Sequence, residues 1–313
     1  MGIFLAALIA VSVLLLTAAP GYIFVKTKVF SEDAIPILSK LLLFVCQSAL
    51  VIYTFATTSF SAERLKNLGL FMLLALLIHA VMLIGATLIL SKKFDNVTAR
   101  ISTIATTFAN SAFFGIPIIE AVMGKEESEE LIIYTIVYAM VMNLLGWTAG
   151  SAIISKSRKY ISVKKLFINP YMISTLVALP LFLFSIELPA ELMNMITILG
   201  KSTTPISMII IGMRLATSRP GEVFGNPKIY ATAAVKLIAM PLVAFLLVYF
   251  FPIPAEAKQT FYIICACPTA SIVLNFSEII GEGQKEAAAS VLLSTVLSIA
   301  TLPVMMLLLP LLA

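Results

Sequence analysis

The polar residues best placed to do chemistry in this sequence sit inside long apolar runs. Asn110 and Ser111 interrupt one run and are followed by Ala112, Gly115 and Pro117. Pro268, Thr269, Ala270 and Ser271 interrupt another. Proline removes a backbone donor and glycine loosens the turn, so neither run is expected to continue as an unbroken helix. Where two helices break at mid-depth, their free N-terminal ends carry partial positive charge suited to an anion. The chemistry indicated is reversible binding. No nucleophile–base constellation accompanies these residues, so the chain is not expected to be an enzyme. Three cysteines (Cys46, Cys265 and Cys267) and one histidine (His79) fall short of a structural zinc site or a disulfide framework. No metal and no other cofactor is expected.

Charged residues within the same runs are the next candidates. Lys40, Lys201 and Lys236 lie inside apolar segments, where a charge costs a few kcal/mol even on lenient scales. Each either attracts or gates an anionic substrate, or snorkels so that its amine reaches the headgroups. Lys236, five residues before Pro241, has a third reading as a compensating charge for carbonyls or carboxylates inside the protein. Glu120 and Glu278 lie near the ends of the interrupted runs and read either as proton-coupling carboxylates or as interfacial ones. Asn143, Asn275 and His79 read as helix–helix hydrogen-bonding groups.

The elements that position these residues are membrane helices. Of 313 residues, 60% are hydrophobic and 12% charged, and the mean hydropathy is +1.06. A soluble domain is about half apolar and a quarter charged, so a soluble enzyme, a disordered chain and a nucleic-acid binder are all excluded. At roughly 20 apolar residues per span, the chain holds about ten helices. Apolar runs place them near 3–25, 34–56, 68–91, 101–123, 131–154, 170–186, 192–213, 229–251, 260–280 and 287–312. With the N-terminus outside, the inner loops carry 14 Lys and Arg against 4 in the outer loops. That positive-inside bias puts both termini outside a cell membrane. The acidic run Glu126, Glu127, Glu129 and Glu130 then also lies outside.

The two halves of the chain resemble each other. Leu38–Lys40 followed by Phe55–Ser59 parallels Leu199–Lys201 followed by Leu215–Ser218, and Glu120–Glu130 parallels Glu278–Ala288. The offsets are 161 (201 less 40) and 158 (278 less 120). A five-helix repeat follows: residues 1–155, then 170–313, joined by a basic cytoplasmic segment at 156–169. Five is odd, so the second copy is inverted. Inverted repeats are the architecture of secondary transporters, with the substrate near the midplane between copies. Depth matching at an offset of 157 sets Ser111 against Pro268.

Four segments carry a family resemblance: NSAFFGIPII (110–119), INPYMIST (168–175), LGKSTTPISMIIIGMRL (199–215) and CPTASIVLNFSEII (267–280). Over essentially its whole length the chain resembles the auxin efflux carrier family, which includes the plant auxin exporters and prokaryotic permeases for small organic acids. The resemblance implies ten helices with the fourth and ninth broken and crossing. It implies a scaffold of spans one, two, six and seven, a moving transport domain of spans three to five and eight to ten, and a homodimer formed through the scaffold. Asn110 and its neighbours would line the first crossover, and Pro268 and Thr269 the second. The chain departs from the plant pattern at Ala109, where a proline is usual, and at Thr269, where an amide is usual. It also lacks a carboxylate in span three and a large cytosolic loop.

The expectation is an all-α polytopic membrane protein that carries a small organic anion, a mono- or dicarboxylate or auxin-like acid, by elevator-type alternating access. The substrate would bind at Asn110, Ser111, Ala112, Gly115, Pro117, Pro268, Thr269, Ala270 and Ser271. Proton coupling, sodium coupling and uniport all stay open. The rivals are a channel, a ligand-binding sensor without turnover, and a cation/proton antiporter, although no aspartate lies inside any span to make the acidic pair an antiporter needs. Beyond the lipid bilayer and a second copy, no macromolecular partner is expected, nucleic acid included.

Overall fold

The computed structural model describes residues 2–93, 95–128, 130–157, 159 and 168–313. Most of the basic segment 156–169, and Glu129 of the acidic run, lie outside the described residues. The described chain is helical. Seven helices are long and apolar enough to cross a membrane: α1 (Ile3–Lys26), α2 (Ala34–Thr57), α3 (Ala62–Leu90), α6 (Ile132–Ser155), α8 (Ala190–Thr217), α9 (Pro227–Tyr249) and α12 (Gln284–Leu312). The expected sixth span is the shorter α7 (Pro170–Leu183).

The expected fourth and ninth spans are each split in two. The fourth comprises α4 (Val97–Ala105) and α5 (Ser111–Met123), and the ninth comprises α10 (Ala255–Ala266) and α11 (Ile272–Ile280). Apolar side chains such as Leu16, Ile37, Phe44, Leu88 and Ile89 are more than half exposed. Outward apolar faces on this scale require lipid around them. The protein is a polytopic membrane protein.

Small residues set the closest helix contact. α1 and α8 run side by side, and a Cβ added at Gly212 would lie 1.9 Å from the Ala18 carbonyl oxygen. One added at Gly21 would lie 2.0 Å from the Ile209 oxygen. Lipid supplies no hydrophobic drive between helices, so backbone approach of this kind is what holds them together. α8 also presses on α2, where Gly200 faces the backbone of Ala49 and Leu50.

Four helices contain a turn of π-helix: Leu42–Cys46 in α2, Ser111–Gly115 at the start of α5, Gly146–Gly150 in α6 and Val235–Ala239 in α9. Each such turn accommodates one residue more than an α-helical turn. Two follow directly from proline: Pro117 and Pro241 fall just after the π turns of α5 and α9, where the widened turn makes room for the ring.

At one end of the bundle, ion pairs tie the elements. Buried Arg100 on α4 donates to Glu282 at 2.9 Å and to the Ile154 carbonyl at the end of α6. Glu282 is held by a turn in which Gly281 and Gly283 both take positive φ, a conformation glycine adopts without strain. Lys156 pairs with Asp95 and holds its carboxyl below the usual carboxylate range.

The α1–α8 contact generates a prediction. Gly212→Leu drives a side chain into backbone that no rotamer relieves, and overpacking of this sort costs about 1–3 kcal/mol. The variant is expected to melt at lower temperature in detergent and to lose its monodisperse chromatographic peak. Gly69→Ala, with no atom within 4 Å of the new methyl, is expected to leave both unchanged.

Candidate functional site

The two split helices cross where they break. Between α4 and α5 the chain runs extended through Ala109, and between α10 and α11 through Thr269. These two residues form an antiparallel bridge. Asn110 N–H donates to Pro268 O at 2.9 Å, and Ala270 N–H donates to Phe108 O at 2.9 Å. Ala109 and Thr269 are 160 residues apart (269 less 109), within the range of offsets, 157 to 161, found between the two halves of the sequence.

The break falls at residues 106–110, beside Asn110 and Ser111, and does not extend to Gly115 and Pro117. Those two residues lie within α5, because the π turn absorbs the missing proline N–H. Gly115 packs instead against the Cys267 sulfur, 3.6 Å from where its Cβ would be.

Each broken helix leaves a C-terminal end whose carbonyls need donors. The Thr269 hydroxyl donates to Ala105 O at 3.0 Å at the end of α4, and the Lys236 ammonium donates to Cys265 O at 2.9 Å at the end of α10. Positions 105 and 265 differ by the same 160, so one set of carbonyls is closed by a hydroxyl and its counterpart by a cation. A cation there also complements the negative end of the helix dipole. Lys236 is fully buried, which removes the snorkelling reading. Thr269 is committed twice over, since its N–H donates to Ser294 Oγ at 3.1 Å.

The other ends, the N-termini of α5 and α11, open on a cavity of about 60 Å³. Asn110, Ser111, Ala112, Ala270 and Ser271 line it, joined by Gln47 of α2, Asn143 of α6 and Asn275 of α11. Asn110 Nδ2 and Ser111 Oγ are buried without a hydrogen-bond partner, although buried polar groups are almost always satisfied. Gly115, Pro117, Pro268 and Thr269 do not line the cavity. Nor do the remaining charged candidates. Lys40 and Lys201 are exposed on the outside of the bundle, with Lys201 Nζ 5.6 Å from the centre of the Tyr53 ring. Glu278 pairs with Arg214 at 2.8 Å, and Glu120 sits half-buried on α5.

Two broken helices thus cross through backbone bonds, with unsatisfied polar groups at the N-terminal end of α5. The family model for membrane transport proteins matches residues 6–306 of the 313. The chain belongs to the auxin efflux carrier family. A comparison with curated proteins finds no match.

Within this carrier, the sequence analysis missed Gln47 and assigned Asn143 and Asn275 to helix packing. Asn143 does donate to Ala139 O at 2.9 Å on its own helix, yet it still borders the cavity. Gln47 had a signal of its own, as an amide in an otherwise apolar run seven residues after Lys40. On a continuous α-helix the two would share one face. The π turn at Leu42–Cys46 lies between them and rotates one against the other by about 100°. Lys40 is thereby sent outward, and Gln47 is buried at 9% exposure against the crossover.

The carrier's crossover is testable apart from transport. Thr269→Val keeps the shape but leaves Ala105 O without its donor, which is expected to cost about 1–3 kcal/mol. A lower melting temperature in detergent checks this, with Thr269→Ser, which keeps the hydroxyl, expected to melt as the parent does.

Proposed function

We propose that this carrier moves a small organic anion, a mono- or dicarboxylate, by alternating access, with the carboxylate bound between the N-termini of α5 and α11. The observation that carries the reading is the pair of unsatisfied buried polar atoms, Asn110 Nδ2 and Ser111 Oγ, on cavity-lining residues at the N-terminus of α5, across from Ser271 at the start of α11. Helix N-termini attract anions through their free N–H groups and dipole. An amide and a hydroxyl add directional donors. Among the described residues no Asp or Glu lines the cavity. The acidic pair that an antiporter needs is therefore not among the described lining residues.

The cavity volume argues for motion. Small-molecule sites enclose about 300–1,000 Å³, whereas this one holds about 60 Å³. Gln47 and Leu43 of α2 close one wall, and the crossover closes the other. A substrate therefore enters only when α2 and the crossover separate. In this reading α1, α2, α7 and α8 form the scaffold, with glycine contacts joining α8 to α1 and α2. The crossover moves as an elevator with α3, α6, α9 and α12. The parallels between Leu38–Ser59 and Leu199–Ser218, and between Glu120–Glu130 and Glu278–Ala288, support two inverted repeats of five spans each. A dimer through the scaffold, a cell-membrane location and outward-facing termini complete the proposal, the last resting on the positive-inside count.

Uptake of labelled carboxylates into proteoliposomes tests the reading. Saturable flux of at least one carboxylate is expected, falling at least tenfold in Asn110→Ala and Gln47→Ala. Flux of protons or sodium with no carboxylate movement would overturn it. Running each arm with and without an imposed proton or sodium gradient assigns the coupling, and flux indifferent to both identifies a uniporter.

A further inference from the structure

A groove larger than the crossover cavity lies elsewhere on the described surface. It has a volume of about 500 Å³ and runs between α3, α4 and α9. Its walls are mostly apolar, from Val81 and Met82 of α3 to Val235 and Val243 of α9. Small residues make the room: a Cβ added at Gly85 meets nothing within 4 Å. On α9 the lining runs from Lys228 to Val243, a rise of about 22 Å, long enough for most of an acyl chain.

One end of the groove differs in kind. Lys93 and Lys228 both line it there, and both are exposed. Two helices also begin at this end. Asn96 caps α4 by accepting from Thr98 N–H at 2.8 Å, and Asn226 caps α9 by accepting from Lys228 N–H at 3.0 Å. Below the lysines, Ser102 and Thr232 hydrogen-bond across the floor at 2.7 Å and tie α4 to α9. Among the described residues no carboxylate lines the groove.

We propose that this groove holds one anionic phospholipid, its phosphate between Lys93 and Lys228 and one acyl chain along α3 and α9. The occupant follows from the pairing of a cationic end with an apolar trough. A soluble anion would leave the trough empty, and a zwitterionic lipid would gain little from two unopposed lysines. Basic pockets between membrane helices recognise anionic headgroups in this way. By the positive-inside count the lysine end faces the inner leaflet. The site is separate from the crossover cavity and shares no lining residue with it. It nonetheless reaches Thr106, at the end of α4 just before the break, so a bound lipid would brace the first half of the fourth span.

Native mass spectrometry of the purified full chain, with equal amounts of dioleoyl phosphatidylglycerol and dioleoyl phosphatidylcholine added, tests the proposal. At about 1 kcal/mol per lysine, two lysines give roughly a thirty-fold preference for the anionic lipid. The expected result is one retained phosphatidylglycerol per chain. That preference should vanish in Lys93→Gln/Lys228→Gln and survive in Lys26→Gln/Lys28→Gln, which removes the same charge elsewhere. Gly85→Leu fills the trough and is expected to lose the retained lipid with both lysines intact. Equal retention of the two lipids overturns the proposal, as does loss of preference in the control pair or undiminished retention in Gly85→Leu.

Discussion

In hydrocarbon a backbone N–H or C=O without a partner costs several kcal/mol, so a helix that stops halfway across must find partners for its loose ends. This chain stops two helices, and each break satisfies the other. Phe108 and Asn110 exchange backbone bonds with Ala270 and Pro268. What that short bridge leaves over is closed by Thr269, Lys236 and Ser294. The burial of a lysine in the centre of an apolar protein follows from this constraint: its ammonium answers carbonyls that no N–H can reach. The N-terminal end of α5 is left with polar atoms still unsatisfied, and a ligand is the natural group to satisfy them.

Much of this was legible in the sequence. Proline and glycine inside apolar runs, in corresponding places, marked the two interrupted spans, and Asn110, Ser111 and Ser271 emerged as cavity residues. Lys236 stood out because a charge so deep must have a reason. Asn110 and Ser111 marked the first break, and the chain leaves the helix just before them, at residues 106–110. What was not legible was the state of Gly115 and Pro117, which a π turn keeps inside α5.

Facing was the harder problem. Helices apolar on every side carry little periodicity from which to read a buried stripe. Lys40 and Lys201 therefore looked like a symmetric pair of site charges, whereas both lie outside. Gln47, an amide whose facing could not be read from its neighbours, lies against the crossover. The same limit explains the groove between α3, α4 and α9, which is made by residues that are small rather than chemically distinctive. Absence of bulk leaves no mark in composition.

The π turns have a consequence for how this chain can change over time. Each is equivalent to one residue inserted into an α-helix and taken up locally, so that the flanks on either side keep their facing. Deleting one residue within Leu42–Cys46 would restore a regular helix and leave Gln47 turned to the crossover. The same loss elsewhere in α2 would turn everything beyond it by about 100°. A membrane helix therefore tolerates a single-residue deletion poorly along most of its length. Here four short stretches can absorb one, so the chain is free to shorten at the very places that aim its polar residues.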